Sequence, residues 1–195
     1  QADCGPGGPA VLPLEDLPDA VAGYSGDQLT NAAAIMRAGV PLNVGVHGQT
    51  VAVMTAMGES SLINVDHGDA AGPDSRGLFQ QRDNGAWGTY ADRMDPQTAA
   101  TNFYTALLRV EGWETLPPTI AAHRVQRNAD PQHYAPYWAD AVAVVRDLTD
   151  TTQTTIPGVE VAPAGWCDTG SVTAQGWANP AVGRLTSPFG TRVHP

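Results

Sequence analysis

The chain has 195 residues, of which 42% are hydrophobic, and a formal net charge of −10. That length suffices for one packed domain of about 150 residues plus additional segments, and the composition is that of a globular chain. Acidic residues outnumber basic ones, 20 to 10 (all ten arginine), so the chain carries no electrostatic footprint for nucleic acid, and no apolar run approaches the roughly 18 residues needed to span a bilayer.

The sequence begins Gln1-Ala2-Asp3, which reads as a mature or trimmed start rather than a signal peptide. Residues 1–22 show no periodicity and are expected to form an irregular lead-in. A first helix is predicted after Ser25, with Gln28 completing a capping box, and it stops at Gly39. Its apolar positions Leu29, Ala32, Ala33 and Met36 follow the helical spacing i, i+3, i+4, i+7. A second helix carries the almost uncharged run from Val46 to Gly58 and ends at Glu59.

Residues 60–94 are rich in Gly, Asp and Asn and read as a long irregular or hairpin-containing region. Long ordered loops tend to carry function. Asp95-Pro96 gives the N-cap and first-turn proline of a third helix bearing Ala99, Phe103, Leu107 and Leu108. A fourth helix is predicted after Pro117-Pro118, to about Asn128. A fifth is predicted from Asp130-Pro131 through Tyr134, Trp138, Val142 and Val145 to Leu148. Residues 23–148 thus read as one mainly α domain. A Thr/Pro-rich linker follows over 149–165, and an irregular or β segment over 166–195.

Glu59 stands out chemically. Val51, Met54, Leu62 and the intervening alanines suit a packed helix with little room for water. A carboxylic acid ending such a helix is partly desolvated and lies at the negative end of the helix dipole, and both effects raise its pKa. A protonated carboxylic acid in an apolar wall is what a glycosidase uses to protonate a leaving oxygen. The competing reading is an ordinary exposed glutamate at a helix end.

Gly58-Glu59-Ser60-Ser61-Leu62, followed after a loop by Asp74-Ser75-Arg76-Gly77-Leu78-Phe79-Gln80-Gln81, resembles the lysozyme-like soluble lytic transglycosylase superfamily. The hallmark there is Glu-Ser at a helix end followed by a Gly-Leu-Met-Gln-type hairpin. The similarity covers about residues 24–148. It is nearest the actinobacterial and phage type, in which a Gly-Trp-Gly segment follows, here Ala86-Trp87-Gly88. The resemblance implies a lysozyme-like helical fold with a small hairpin or loop region forming a cleft. It also implies cleavage of the β-1,4 bond between N-acetylmuramic acid and N-acetylglucosamine in peptidoglycan.

Carried over by position, Glu59 becomes the general acid, and Ser60, Gln80 and Gln81 become polar contacts along the cleft. The family's late-helix Ala-Tyr-Asn motif, with its tyrosine close to the acid, corresponds here to residues 122–127, where Gln126 is the polar contact. Hydrolysis calls for a second carboxylate. Asp66, Asp69 and Asp74 all lie in the loop after Glu59, and Asp74, tied most directly to the hairpin, is the first choice. Hydrolysis and lytic transglycosylation both remain open. Trp87 is the first candidate for a sugar platform, with Tyr137 as a further sugar contact, whereas Trp138, at helical period, belongs to the core. Asp66-His67-Gly68-Asp69 reads as a turn rather than a metal site, so neither metal nor cofactor is expected.

The tail segment from Gly183 to Pro195, which includes Phe189-Gly190-Thr191-Arg192-Val193-His194-Pro195, resembles the opening of a lysostaphin-type zinc endopeptidase. The zinc-ligand motifs of that family do not occur before Pro195, so an inactive fragment is expected. If the chain is exported, Cys4 and Cys167 are candidates for one disulfide, nominally worth about 5 kcal/mol on a chain-entropy account; two unrelated thiols are the alternative. The combined expectation is a monomeric, secreted or phage-delivered protein of the cell wall that acts on peptidoglycan glycan strands. The alternative is an inactive glycan-binding module that positions a peptidase.

Overall fold

In the computed structural model, which describes residues 10–70 and 72–150, the stretch poorest in charge becomes the central helix. Helix α2 spans Gly45–Ser60 and is buried on nearly every side from Gly48 to Met57. It must therefore be surrounded, and it packs against α1 (Asp27–Gly39), α4 (Pro96–Leu107), α5 (Pro118–Gln126) and α6 (Trp138–Asp147). Val51, Val53 and Met54 are wholly removed from solvent, and each such side chain contributes about 1.5–3 kcal/mol of burial.

Helix α1 buries Leu29, Ala32, Ala33 and Met36 as its spacing predicts, together with Ile35. Its alanines let α2 and α4 approach closely, and Tyr104 of α4 donates to the Ile35 carbonyl at 3.1 Å. The predicted cap is only half formed. Ser25 N–H donates to Gln28 Oε1 at 3.3 Å, while the N-cap position is Gly26, which has no side chain to return a bond. Helix α4 starts where Asp95-Pro96 predicts, with Asp95 accepting from Thr98 N–H at 2.8 Å.

Three features depart from the sequence reading. The lead-in is not irregular throughout. A 3-10 turn at Leu14–Asp16 leads into the hairpin β1 (Ala20–Val21) and β2 (Tyr24–Ser25), whose antiparallel register pairs Ala20 with Ser25 and Val21 with Tyr24. Earlier still, Leu12 N–H donates to Leu148 O at 2.9 Å and Asp150 N–H to Ala10 O at 2.8 Å, so Val11 bridges Thr149 in antiparallel fashion.

The second departure is a short helix, α3 (Tyr90–Met94), inside the predicted irregular region. It starts from a reciprocal capping box between Thr89 and Asp92. The third concerns the last helix, which does not begin at Asp130. Asp130 instead accepts from Gln132 N–H at 2.8 Å in a tight turn. A 3-10 turn at Ala135–Tyr137 follows, and α6 starts only at Trp138. Pro136 accounts for this in part, because it lacks the N–H that an α-helix begun at Asp130 would need at that position.

Among the described residues no helix is long and apolar enough to cross a membrane. Cys4, Cys167, the predicted linker beyond Asp150 and the segment over 166–195 lie outside the described residues.

Candidate active site

The end of α2 sets the position of Glu59. The helix terminates in two consecutive left-handed residues, Ser61 (φ +53°) and Leu62 (φ +61°), a conformation that costs non-glycine residues roughly 1–2 kcal/mol each. Helix α1 holds this turn in place. Gln28 and Asn31, one helical turn apart, donate their amide hydrogens to the Ser61 and Leu62 carbonyls, both at 2.8 Å. Burial of the Leu62 side chain anchors the turn from the other side.

The Gly-Leu-Phe-Gln segment docks against this end. Arg76 and Gln81 exchange backbone bonds of 3.1 and 3.0 Å. Between them, Leu78 and Phe79 are fully buried, and Phe79 stacks on Phe103 with ring centroids 4.9 Å apart. Gly77 is obligatory on two counts: its φ is +76°, and a Cβ there would lie 2.0 Å from the Arg93 carbonyl. The hairpin's own carbonyls are bound by the site. Ser60 Oγ donates to Leu78 O at 2.8 Å, and Gln126 Nε2 donates to Phe79 O at 2.8 Å.

Glu59 is half-buried between these parts. Burial pushes its carboxyl above the ordinary glutamate value, and the Asp69 charge adds to the rise. Hydrogen bonds from Tyr134 and Gln126 and the nearby His133 act in the opposite direction without cancelling it. The Tyr134 hydroxyl donates directly to Glu59 Oε1. Burial and the neighbouring Glu59 raise the tyrosine's own pKa far out of the titration range, so it remains a neutral donor. Beside the acid opens a cavity of about 370 Å³, lined by Glu59, Val65, His67, Gly68, Asp69 and Gln80.

The residues singled out from sequence are distributed unevenly around this cavity. Glu59 and Gln80 line it. Gln126 touches both the acid and the hairpin. The Ser60 hydroxyl is committed to the hairpin carbonyl, with Ala56 O a further 3.1 Å contact, so it braces the wall of the cleft. Gln81 points into the core. It is 2% exposed and donates to Ala99 O at 3.0 Å. Gln80 is the left-handed last residue of the turn (φ +46°), whereas Gln81 re-enters the backbone pairing with Arg76, so the two glutamines do not share the cleft.

Asp74 is also placed away from the acid. Its two carboxylate oxygens accept from Arg82 Nε at 2.7 Å and Asp83 N–H at 2.8 Å. These bonds, the backbone one first, hold its carboxyl below the usual aspartate range. Asp74 closes the hairpin, and the carboxylate that shares the cavity with Glu59 is Asp69. Asp66 pairs with Arg76 at 3.1 Å. Trp87 is half-buried, packs on the core and does not line the cavity. Tyr137 lies alongside Gly58 rather than in the cavity wall. Among the described residues no group of three or more His, Cys, Asp or Glu could hold a metal ion.

The site residue that the sequence does not single out is Tyr134, which there reads as one aromatic of the last predicted helix, open between core and sugar contact. Its flanking prolines, Pro131 and Pro136, are the signal that this tyrosine sits on a turn, where helical periodicity has no meaning. Together the site offers a carboxylic acid with a raised pKa, a neutral phenol and an amide donor beside an open cavity. Such a constellation can deliver a proton to a bound oxygen. Comparison with protein-family models and with curated proteins finds no match.

Proposed function

We propose that this domain is a lysozyme-like peptidoglycan glycosidase that cleaves the β-1,4 bond between N-acetylmuramic acid and N-acetylglucosamine, with Glu59 as the general acid. The observation that carries the reading is the hydrogen bond from Tyr134 to Glu59. The resemblance in sequence calls for a tyrosine close to the acid, and Tyr134 fills that place from a turn instead of from the 122–127 segment. The burial-raised pKa of Glu59 suits proton donation to a glycosidic oxygen. Gln80 and Gln126 are the polar groups best placed to meet the sugar or its acetamide.

The reaction ends in hydrolysis if a water is activated, and Asp69, which accepts from Gly72 N–H at 2.7 Å, is then the second carboxylate lining the cavity. It ends in transglycosylation if the sugar's own hydroxyl attacks. The test is digestion of purified peptidoglycan followed by mass spectrometry of the fragments. Reducing ends identify hydrolysis and 1,6-anhydro-muramyl ends identify transglycosylation. If wild type releases no fragments, the enzyme reading is wrong and the glycan-binding module takes its place; equal release by wild type and Glu59→Gln would remove Glu59 as the acid.

A further inference from the structure

The carbonyl of Gly58 is one of the last of α2, where acceptors lose their intrahelical donors. The N–H of Leu62, which would close the next helical turn onto it, goes to Ala56 O at 3.3 Å. His133 takes up the orphan, with Nε2 3.3 Å from Gly58 O. The same imidazole meets the Tyr134 ring edge-on, with centroids 4.8 Å apart and planes at 84°. Tyr134 in turn lies directly on the helix backbone. A Cβ on Gly58 would come within 2.7 Å of its Cδ1 and 3.1 Å of its Cε1. The peptide leading into Glu59 is thus gripped twice, by the tyrosine ring at its α-carbon and by the histidine at its carbonyl.

We propose that His133 is a positioning residue, clamping the 130–134 turn onto Gly58 so that the Tyr134 hydroxyl stays seated on Glu59. This rests on the reading of Glu59 as the acid of a glycosidase. Apart from the Tyr134–Glu59 bond that it supports, the other hydrogen bonds of the turn among the described residues do not reach α2. Thr119 Oγ donates to Pro131 O at 2.8 Å, and His133 N–H donates to Asp130 O at 3.2 Å. Of the titratable groups around the clamp, Glu59 faces it from α2, Tyr134 and Tyr137 from its own segment, and Asp69 from the loop across the cavity. His133 itself is exposed, so replacing it leaves the core intact.

Two variants separate the clamp from simple charge. His133→Gln keeps an N–H donor at similar reach without a ring, and His133→Phe keeps a ring without the donor. The readouts are kcat and KM on solubilised peptidoglycan, and the titration of the Glu59 carboxyl followed by carbon NMR, assigned with Glu59→Gln. His133→Phe is expected to lower kcat about tenfold with KM within about twofold, as for a misplaced catalytic pair. It should also raise the Glu59 midpoint, because the tyrosine bond is loosened. His133→Gln should recover most of kcat, with a midpoint between wild type and His133→Phe. Equal kcat and equal midpoints in the two variants would overturn the proposal, since the ring would then act by charge alone. So would a His133→Phe variant indistinguishable from wild type. If wild type cleaves no glycan, the functional reading fails, and the titration still decides whether His133 holds Tyr134 on the acid.

Discussion

Tyr134 donates its hydroxyl hydrogen to Glu59 from 75 positions further along the chain, and the bond joins an irregular turn to the end of the central helix. It lowers the carboxyl's pKa against the larger effect of burial. The pair therefore sets how readily the acid gives up its proton.

Replacing Glu59 separates catalysis from stability. Glu59→Gln is expected to reduce glycan cleavage by about 10²–10⁴-fold, the usual contribution of a general acid. Because the folded-state pKa lies above the ordinary value of 4.5, the contribution of Glu59 to stability is complete below that pH. It is lost as pH rises through the folded pKa. The melting temperature of Glu59→Gln relative to wild type should therefore climb between pH 4 and pH 7. A gap that stays flat, or narrows, refutes the assignment of a raised pKa.

Removing the phenol should move the acid the other way. In Tyr134→Phe the bond that holds the Glu59 pKa down is gone, so the carboxyl stays protonated to higher pH. The alkaline limb of the kcat/KM profile is expected to shift upward, with the maximal rate reduced by about tenfold or more. A profile superimposable on wild type would mean that Tyr134 does not act on Glu59.

The two loop aspartates should part company. Asp74→Asn is expected to keep activity within about tenfold of wild type, since a true catalytic carboxylate accounts for about 10²–10⁴. Its cost should appear in hydrogen exchange of the hairpin amides, above all Asp83 N–H, which loses its carboxylate acceptor. Asp69→Asn should lower the Glu59 titration midpoint, because Asp69 raises it. A Glu59 midpoint unmoved by Asp69→Asn would remove Asp69 from the cavity's electrostatics.

His47 gives the fold its own pH dependence. Its ring stacks on Trp113 at 5.8 Å and meets Trp138 edge-on at 5.9 Å. Burial depresses its pKa below 6.5, and Glu114 opposes this only in part. The stability it contributes is present above the unfolded value and is lost as pH falls through the folded one. Wild type should accordingly lose melting temperature on acidification below about pH 6.5, and His47→Gln should lose less over the same range.

Much of the helical frame was legible because it is local. The start of α4 is written in Asp95-Pro96, the buried face of α1 in Leu29, Ala32, Ala33 and Met36, and the position of Glu59 in the uncharged run before it. The site was legible only where the motif carried it. Tyr134 falls into apparent register with Trp138, Val142 and Val145, yet it is buried by contact with α2 rather than by a helix of its own. Gln80 and Gln81 look equivalent as letters, but the left-handed turn at Gln80 leaves one at the cavity and the other under Ala99. Asp69 and Asp74 likewise differ only in which partners the folded loop brings to them.

The pairing of Val11 with Thr149 has a mechanical consequence. The chain enters and leaves the described domain side by side and in opposite directions. A pull applied between its two ends would load first the outer backbone bond Asp150–Ala10 and then Leu12–Leu148, as a zipper is loaded. Behind it Arg37 of α1 holds the Leu12 carbonyl, so tension along the chain would reach the helical body, and with it the seat of Glu59, only once the latch had opened.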